Sequence, residues 1–128
     1  MTHQLAAIAV VVRDYDEAVG FYVGKLGFAL TEDTDMGQGK RWVVVTPQGS
    51  TCRILLAKAK NEAELAAVGH QTGGRVFLFL HTDDFRRDYQ RWQEQGVHFT
   101  ETPRDESYGM VVVFEDLYGN KWDLIQPK

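Results

Sequence analysis

Cysteine is nearly absent from this chain. Cys52 stands alone among 128 residues, so no internal disulfide can form and no thiolate cluster can hold a metal. Long apolar runs are missing too. The stretch from Leu5 to Val12 is the longest near the start and is far too short to cross a bilayer. It has no basic flank before it and no small-residue cleavage site after it, so it does not read as a signal peptide. The expected setting is cytoplasmic, with no membrane contact. Nor is there an excess of positive charge. The formal net charge is −4 and the pI about 5.5, whereas duplex nucleic acid attracts a concentrated basic face. Arg86, Arg87 and Arg91 lie near one another, but Asp83, Asp84, Asp88 and Glu94 offset them. No nucleic-acid partner is expected.

What is present is an ordinary globular composition, 44% apolar and 25% charged, in a length suited to one domain. At this size about two thirds of the unfolded chain's surface can be buried. Leu5 to Val12 predicts a short β-branched strand. Asp14 and Glu17 have the spacing of a helix-start capping box, followed by Ala18, Phe21, Tyr22 and Leu26 on one helical face, with Gly27 as the stop. Phe28 to Glu32, Arg41 to Thr46 and Cys52 to Ala57 predict three more strands, and Asp33 to Gly39 a polar turn. Asn61 to Val68 predicts a short helix within a connector.

The pattern then repeats. Arg75 to His81 predicts a strand, Asp83 or Asp84 caps a helix running to Gln95, and Gly96 stops it. Val97 to Glu101, Met110 to Phe114 and Lys121 to Gln126 predict strands, with Arg104 to Gly109 as a loop. Asp14 answers to Asp84, the Gly49 turn to the Gly119 turn, and Val43 to Val45 to the stretch Val111 to Val113. A βαβββ unit therefore occurs twice, about 70 residues apart. The expected fold is α+β, a single domain over 1–128. Module one covers about 1–58, a connector about 59–74, and module two about 75–128. The modules are expected to pair into a cupped mixed sheet with the helices on its convex side.

These segments resemble the vicinal oxygen chelate superfamily, which includes glyoxalase I, bleomycin-binding proteins, fosfomycin-modifying enzymes and extradiol dioxygenases. The stretch Val10 to Ala18, then Phe21-Tyr22, then Leu26-Gly27-Phe28, is similar to the family's first strand and helix. Phe114 to Ile125 is similar to its closing hairpin. The resemblance implies either a small-molecule binding protein or a metal-dependent lyase or dioxygenase. It also implies metal-ligand positions on the first and last strand of each half. These fall at Ala7, at Ile54 or an immediate neighbour, at Phe77 and at Asp123. Three of the four are apolar, and a catalytic divalent cation typically needs three protein ligands. No metal or other cofactor is expected on that basis.

Alternation along the strands then assigns Ala9, Cys52, Arg75, Phe79, His81, Lys121 and Ile125 to the concave side with those four positions, and Ile8, Val10, Val76, Leu78 and Leu80 to the helix side. A largely apolar cup with few polar anchors is what small-molecule sites look like. The candidate ligand-binding residues are Arg75, Phe77, Phe79, Tyr108, Asp123, Cys52, Ile54 and Trp42. Asp123 is the one catalytic candidate. It reads as a residual ligand, a base or a cation anchor, and otherwise as the ion-pair partner of Arg75 or Lys121. Tyr108 reads as a lid or as an ordinary loop aromatic. Trp42 stacks on a planar ligand or belongs to the core or a homodimer interface. His81 is an acid–base candidate or a solvated strand-end residue, while His3, His70 and His98 form no metal pair. Cys52 reads more readily as an inert thiol than as a nucleophile. A homodimer is expected.

Overall fold

The computed structural model describes residues 1–128, which divide into two compact units, Met1–Val68 and Gly69–Lys128. In the first unit the order is β1 (Ala7–Val12), α1 (Tyr15–Tyr22), β2 (Ala29–Gly37), β3 (Lys40–Thr46), β4 (Arg53–Lys58) and α2 (Glu62–Ala67). The sheet runs β1-β4-β3-β2, with β1 parallel to β4 and the other pairs antiparallel. Asp14 caps α1 through a hydrogen bond from the Glu17 N–H to Oδ2 at 2.8 Å, satisfying one of the donors a helix start leaves free. The helix buries Ala18, Phe21 and Tyr22. It packs on β3 and β4, whose Val43, Val45, Ile54 and Leu56 are buried with Val10 and Val12 of β1.

The polar segment expected to turn at Asp33 instead continues as strand to Gly37. The guanidinium of Arg41 on β3 holds Asp33 on β2 through a 2.8 Å ion pair. Cross-strand pairs of this kind stabilise a ladder without any apolar alternation to announce it. The turn itself shrinks to Gly37-Gln38-Gly39, all three at positive φ.

The second unit contains β5 (Val76–His81), α3 (Phe85–Glu94), β6 (His98–Phe99), β7 (Arg104–Glu106), β8 (Gly109–Glu115) and β9 (Lys121–Pro127). Its sheet runs β5-β9-β8-β6, with β7 also on β8. Asp84 caps α3 as Asp14 caps α1, here with the Arg87 N–H donating at 3.1 Å. The helix-facing side is aromatic. Phe114 stacks on Trp122 with ring centroids 5.8 Å apart, and Trp92 meets Phe114 edge-on at 5.1 Å. The fold is thus α+β, with one βαβββ module in each unit.

One strand of the second module departs from the expected pattern. The segment predicted as strand from Val97 to Glu101 is strand only at His98–Phe99, with one further backbone bond from the Thr100 N–H to the Val113 carbonyl, and the predicted loop from Arg104 to Gly109 begins with β7. The edge is broken in two around Pro103, which has no N–H to donate. At the break the Glu101 side chain takes over from the backbone: the Val113 N–H donates to its Oε2 at 3.2 Å.

Candidate functional site

Register decides which side chains share a face. In the second module Phe79 of β5 pairs with Asp123 of β9, and Asp123 pairs with Val113 of β8. His81 pairs with Ile125, Ile125 with Val111, and Val111 with Arg104 of β7. These residues lie on the face opposite Trp122 and Phe114, which is the face that α3 leaves open. Phe79 is 64% exposed, a large ring with no apolar cover in this unit.

Beside it, Asp123 is only partly exposed, and its Oδ1 is buried without a hydrogen-bond partner. Burial raises the pKa of this carboxyl above its ordinary value; Arg104 pulls it down and Glu101 pushes it up. Arg104 does not close onto Asp123. Its Nε donates to Glu101 Oε2 at 3.0 Å and its Nη1 to Glu106 Oε2 at 2.8 Å. The bond to Glu101 first, and Tyr108 after it, raise the pKa of the guanidinium against the opposing effect of burial. Three carboxylates thus gather around one fixed cation, and one carboxylate oxygen remains unsatisfied.

The first module has the same geometry, with an apolar residue where the second has Asp123 and with Glu32 and Arg53 as its charged pair, 3.7 Å apart. Ala9 pairs with Leu55, and Leu55 with Val44, the same relation that joins Phe79, Asp123 and Val113. The counterpart of Asp123 is therefore Leu55. Ile54, assigned to the cup by sequence, lies one residue out of register: it pairs with Ile8 and Val45, is 5% exposed, and belongs to the helix side. Trp42 is 42% exposed on the open side of β3, and its Nε1 donates to Glu32 Oε2 at 3.0 Å.

The remaining candidates sit as follows. Arg75 precedes β5, and the groups acting on Asp123 are Arg104 and Glu101 rather than Arg75 or Lys121. Phe77 falls at the irregularity between Val76 and Leu78 and has no register partner on β9. Cys52 lies just outside β4, its thiol 3.9 Å from the Arg53 carbonyl. Tyr108 is 51% exposed, but it occupies a two-residue hairpin turn between Glu106 and Gly109 and interacts with Arg104. No free loop remains there to swing as a lid. Sequence reading missed Glu101, Arg104 and Glu106. The alternation of Arg104 and Glu106 about Asp105 was a period-2 signal, hidden by the short length of the segment.

Of the four positions where the resemblance implies metal ligands, only Asp123 carries a donor side chain. This holds with Leu55 in place of Ile54, and no group of three or more His, Cys, Asp or Glu side chains is placed to hold an ion.

Two βαβββ modules in one chain define a fold class of their own. The chain belongs to the Glyoxalase/Bleomycin resistance protein/Dioxygenase superfamily, whose family model matches residues 4–124. An uncharacterized protein of Shewanella frigidimarina is 56% identical, over 98% of this chain and 95% of its own. Two solved structures share the fold closely. UcmS2 superposes with a TM-score of 0.85 at 29% identity, covering 98% of both chains. TnmS3, an antibiotic binding protein from Streptomyces sp. CB03234, gives 0.82 at 31% identity, covering 99% of this chain and 98% of its own.

Proposed function

We propose that this protein binds a small, flat, partly apolar molecule noncovalently against the open face of its sheet, without a divalent metal and without turnover. The observation that carries the reading is the pairing of Phe79, largely exposed, with Asp123, whose Oδ1 has no partner. An exposed aromatic beside a polar anchor in apolar surroundings is the usual make-up of a ligand site. The similarity to TnmS3 supports an antibiotic-like ligand. The donor set supports metal independence, because one carboxylate among the four ligand positions falls short of the three that catalysis on a metal typically needs. We further propose a homodimer. Trp42, Leu30 and Met36 expose apolar surface on the β2–β3 hairpin, which suits contact with a second chain.

Elemental analysis of purified protein, followed by a thermal-shift screen of planar aromatic compounds on the same sample, tests the reading. Metal-free protein that gains thermal stability from such compounds is the expected result. One Zn, Ni, Mn or Fe per chain, with turnover that chelation abolishes, would overturn it in favour of a metal-dependent lyase or dioxygenase.

A further inference from the structure

The open face of the second module is chemically lopsided. Glu101, Glu106 and Asp123 share it with a single guanidinium, Arg104, whose Nε and Nη1 are engaged by Glu101 and Glu106. Asp123 is only partly buried; its covered Oδ1 accepts no hydrogen bond, which leaves its charge poorly compensated and favours a donor brought to the accessible part of the carboxylate. Phe79 stands next to it in register and presents its ring. Titratable neighbours on the same face are His81, paired with Ile125; Lys121, two residues before Asp123 on β9 and paired with Glu115; and His98, whose Nε2 lies 3.8 Å from the Glu115 carboxylate. None of them forms an ion pair with Asp123, whose charged neighbours are Arg104 and Glu101.

We propose that this face selects ligands carrying a protonated nitrogen on an aromatic body, with the ring lying on Phe79 and the N–H donated to Asp123. This rests on the binding reading above and names the chemical class of its ligand. A cation stacked on an aromatic ring gains from the ring's negative face as well, so both halves of the site favour the same charge. Arg104 has the complementary part. Held by Glu101 and Glu106, it stays away from Asp123 and leaves that carboxylate for the ligand. An anionic ligand meets the reverse, repelled by Asp123 and unable to reach a guanidinium already engaged.

The test compares three planar probes of similar size by fluorescence titration: 9-aminoacridine, a cation at neutral pH; 9-methylanthracene, neutral; and 9-anthracenecarboxylate, an anion. Each is titrated into wild type, Asp123→Asn, Asp123→Ala, Phe79→Ala and the control Asp105→Asn. Asp105 is an exposed acid of β7 that pairs with Lys128. Wild type should bind the cation about tenfold more tightly than the neutral probe, a difference of about 1.4 kcal/mol. Both Asp123 variants should remove that preference while leaving the neutral probe's affinity unchanged, and Asp105→Asn should leave the preference intact. Phe79→Ala should weaken all three probes. A cation preference that survives both Asp123 variants, or that Asp105→Asn removes equally, overturns the proposal and leaves the binding reading standing. Failure of every probe to bind, or binding indifferent to Phe79→Ala, overturns the binding reading together with it.

Discussion

Replacing Asp123 by Asn should make the protein more stable at neutral pH. The carboxylate has one oxygen buried without a partner, and leaving a polar group unsatisfied costs about 1–3 kcal/mol. Asp123 is only partly buried, and Arg104 lies near enough to favour its charge, so the lower end of that range applies. The amide remains polar, so the exchange recovers only the part due to charge, roughly 0.5–1 kcal/mol. For a chain of this length that corresponds to a rise in Tm of about 2–5 °C. The pH dependence fixes the sign. The folded-state pKa lies above the ordinary 3.8, so between those two values the folded chain holds more protons than the unfolded one, and stability falls as pH rises. The wild type carries the whole penalty above its folded pKa and none of it below 3.8, where Asp123 is protonated in both states. Thermal melts of both proteins at several pH values from 3 to 7 should therefore show a gap that opens with pH and is nearly closed at the acid end. A variant that melts several degrees below wild type at pH 7 would refute the reasoning, for it would mean that the carboxylate has a structural partner. A gap independent of pH would equally refute it, since the effect would not be electrostatic.

Two further expectations concern the scaffold. Asp14→Ala and Asp84→Ala each remove a capping bond to a backbone N–H, at 2.8 and 3.1 Å, and each should cost about 1 kcal/mol in denaturant melts; a cost confined to one of them would show that the two modules do not use the cap alike. Gly69→Ala should be far more damaging, because a Cβ there would lie 1.8 Å from the Tyr118 carbonyl oxygen on a backbone at φ +76°. We expect a loss of at least 2 kcal/mol, of the order found for backbone strain, and a loss below 0.5 kcal/mol would show that the connector is not held against the β8–β9 hairpin.

Local chemistry made the scaffold readable from sequence. Asp14 and Asp84, each ahead of an amphipathic stretch, specify where a helix starts whatever surrounds it, and β-branched runs such as Val43 to Val45 specify strands. Where the determinant was a distant partner, the reading failed. Nothing within Asp33 to Gly37 marks it as strand; its pairing comes from β3 and from Arg41 across the ladder. The same holds for β7, a three-residue segment whose strand character depends on β8. The shared face of Asp123 and Phe79 was legible because β5 and β9 stay in register from Leu78 to His81, past the irregularity at Phe77. Ile54 was misplaced by a single residue, and because strand side chains alternate, one residue is enough to reverse the face. Glu101 was not legible, since it reaches β8 by its side chain at a break in the edge strand, and Arg104 only by an alternation too short to read.

That break explains why chemistry is concentrated in one module. Both modules keep the strand–helix start, and both bring three residues together in the same register: Ala9, Leu55 and Val44 in the first, Phe79, Asp123 and Val113 in the second. In the first module, β2 runs as one strand and pairs along β3 from Thr46 to Lys40. In the second, the Thr100 N–H still donates to the Val113 carbonyl at 3.0 Å, but the Val113 N–H turns to the Glu101 side chain instead of a backbone carbonyl. Glu101 in turn fixes Arg104, and Arg104 fixes Glu106. A local fault in the ladder thereby assembles a denser charged network than the Glu32–Arg53 ion pair on the corresponding face of the first module. Asp123 completes the set from the neighbouring strand. The loss of ladder pairing and the unsatisfied carboxylate both cost stability, and strain of this kind is commonly concentrated where a protein does its work. A fold serving only as scaffold would gain by closing the edge and placing an apolar residue at position 123, as the first module does with Leu55. That the second module does neither is the physical argument behind the ligand site proposed above.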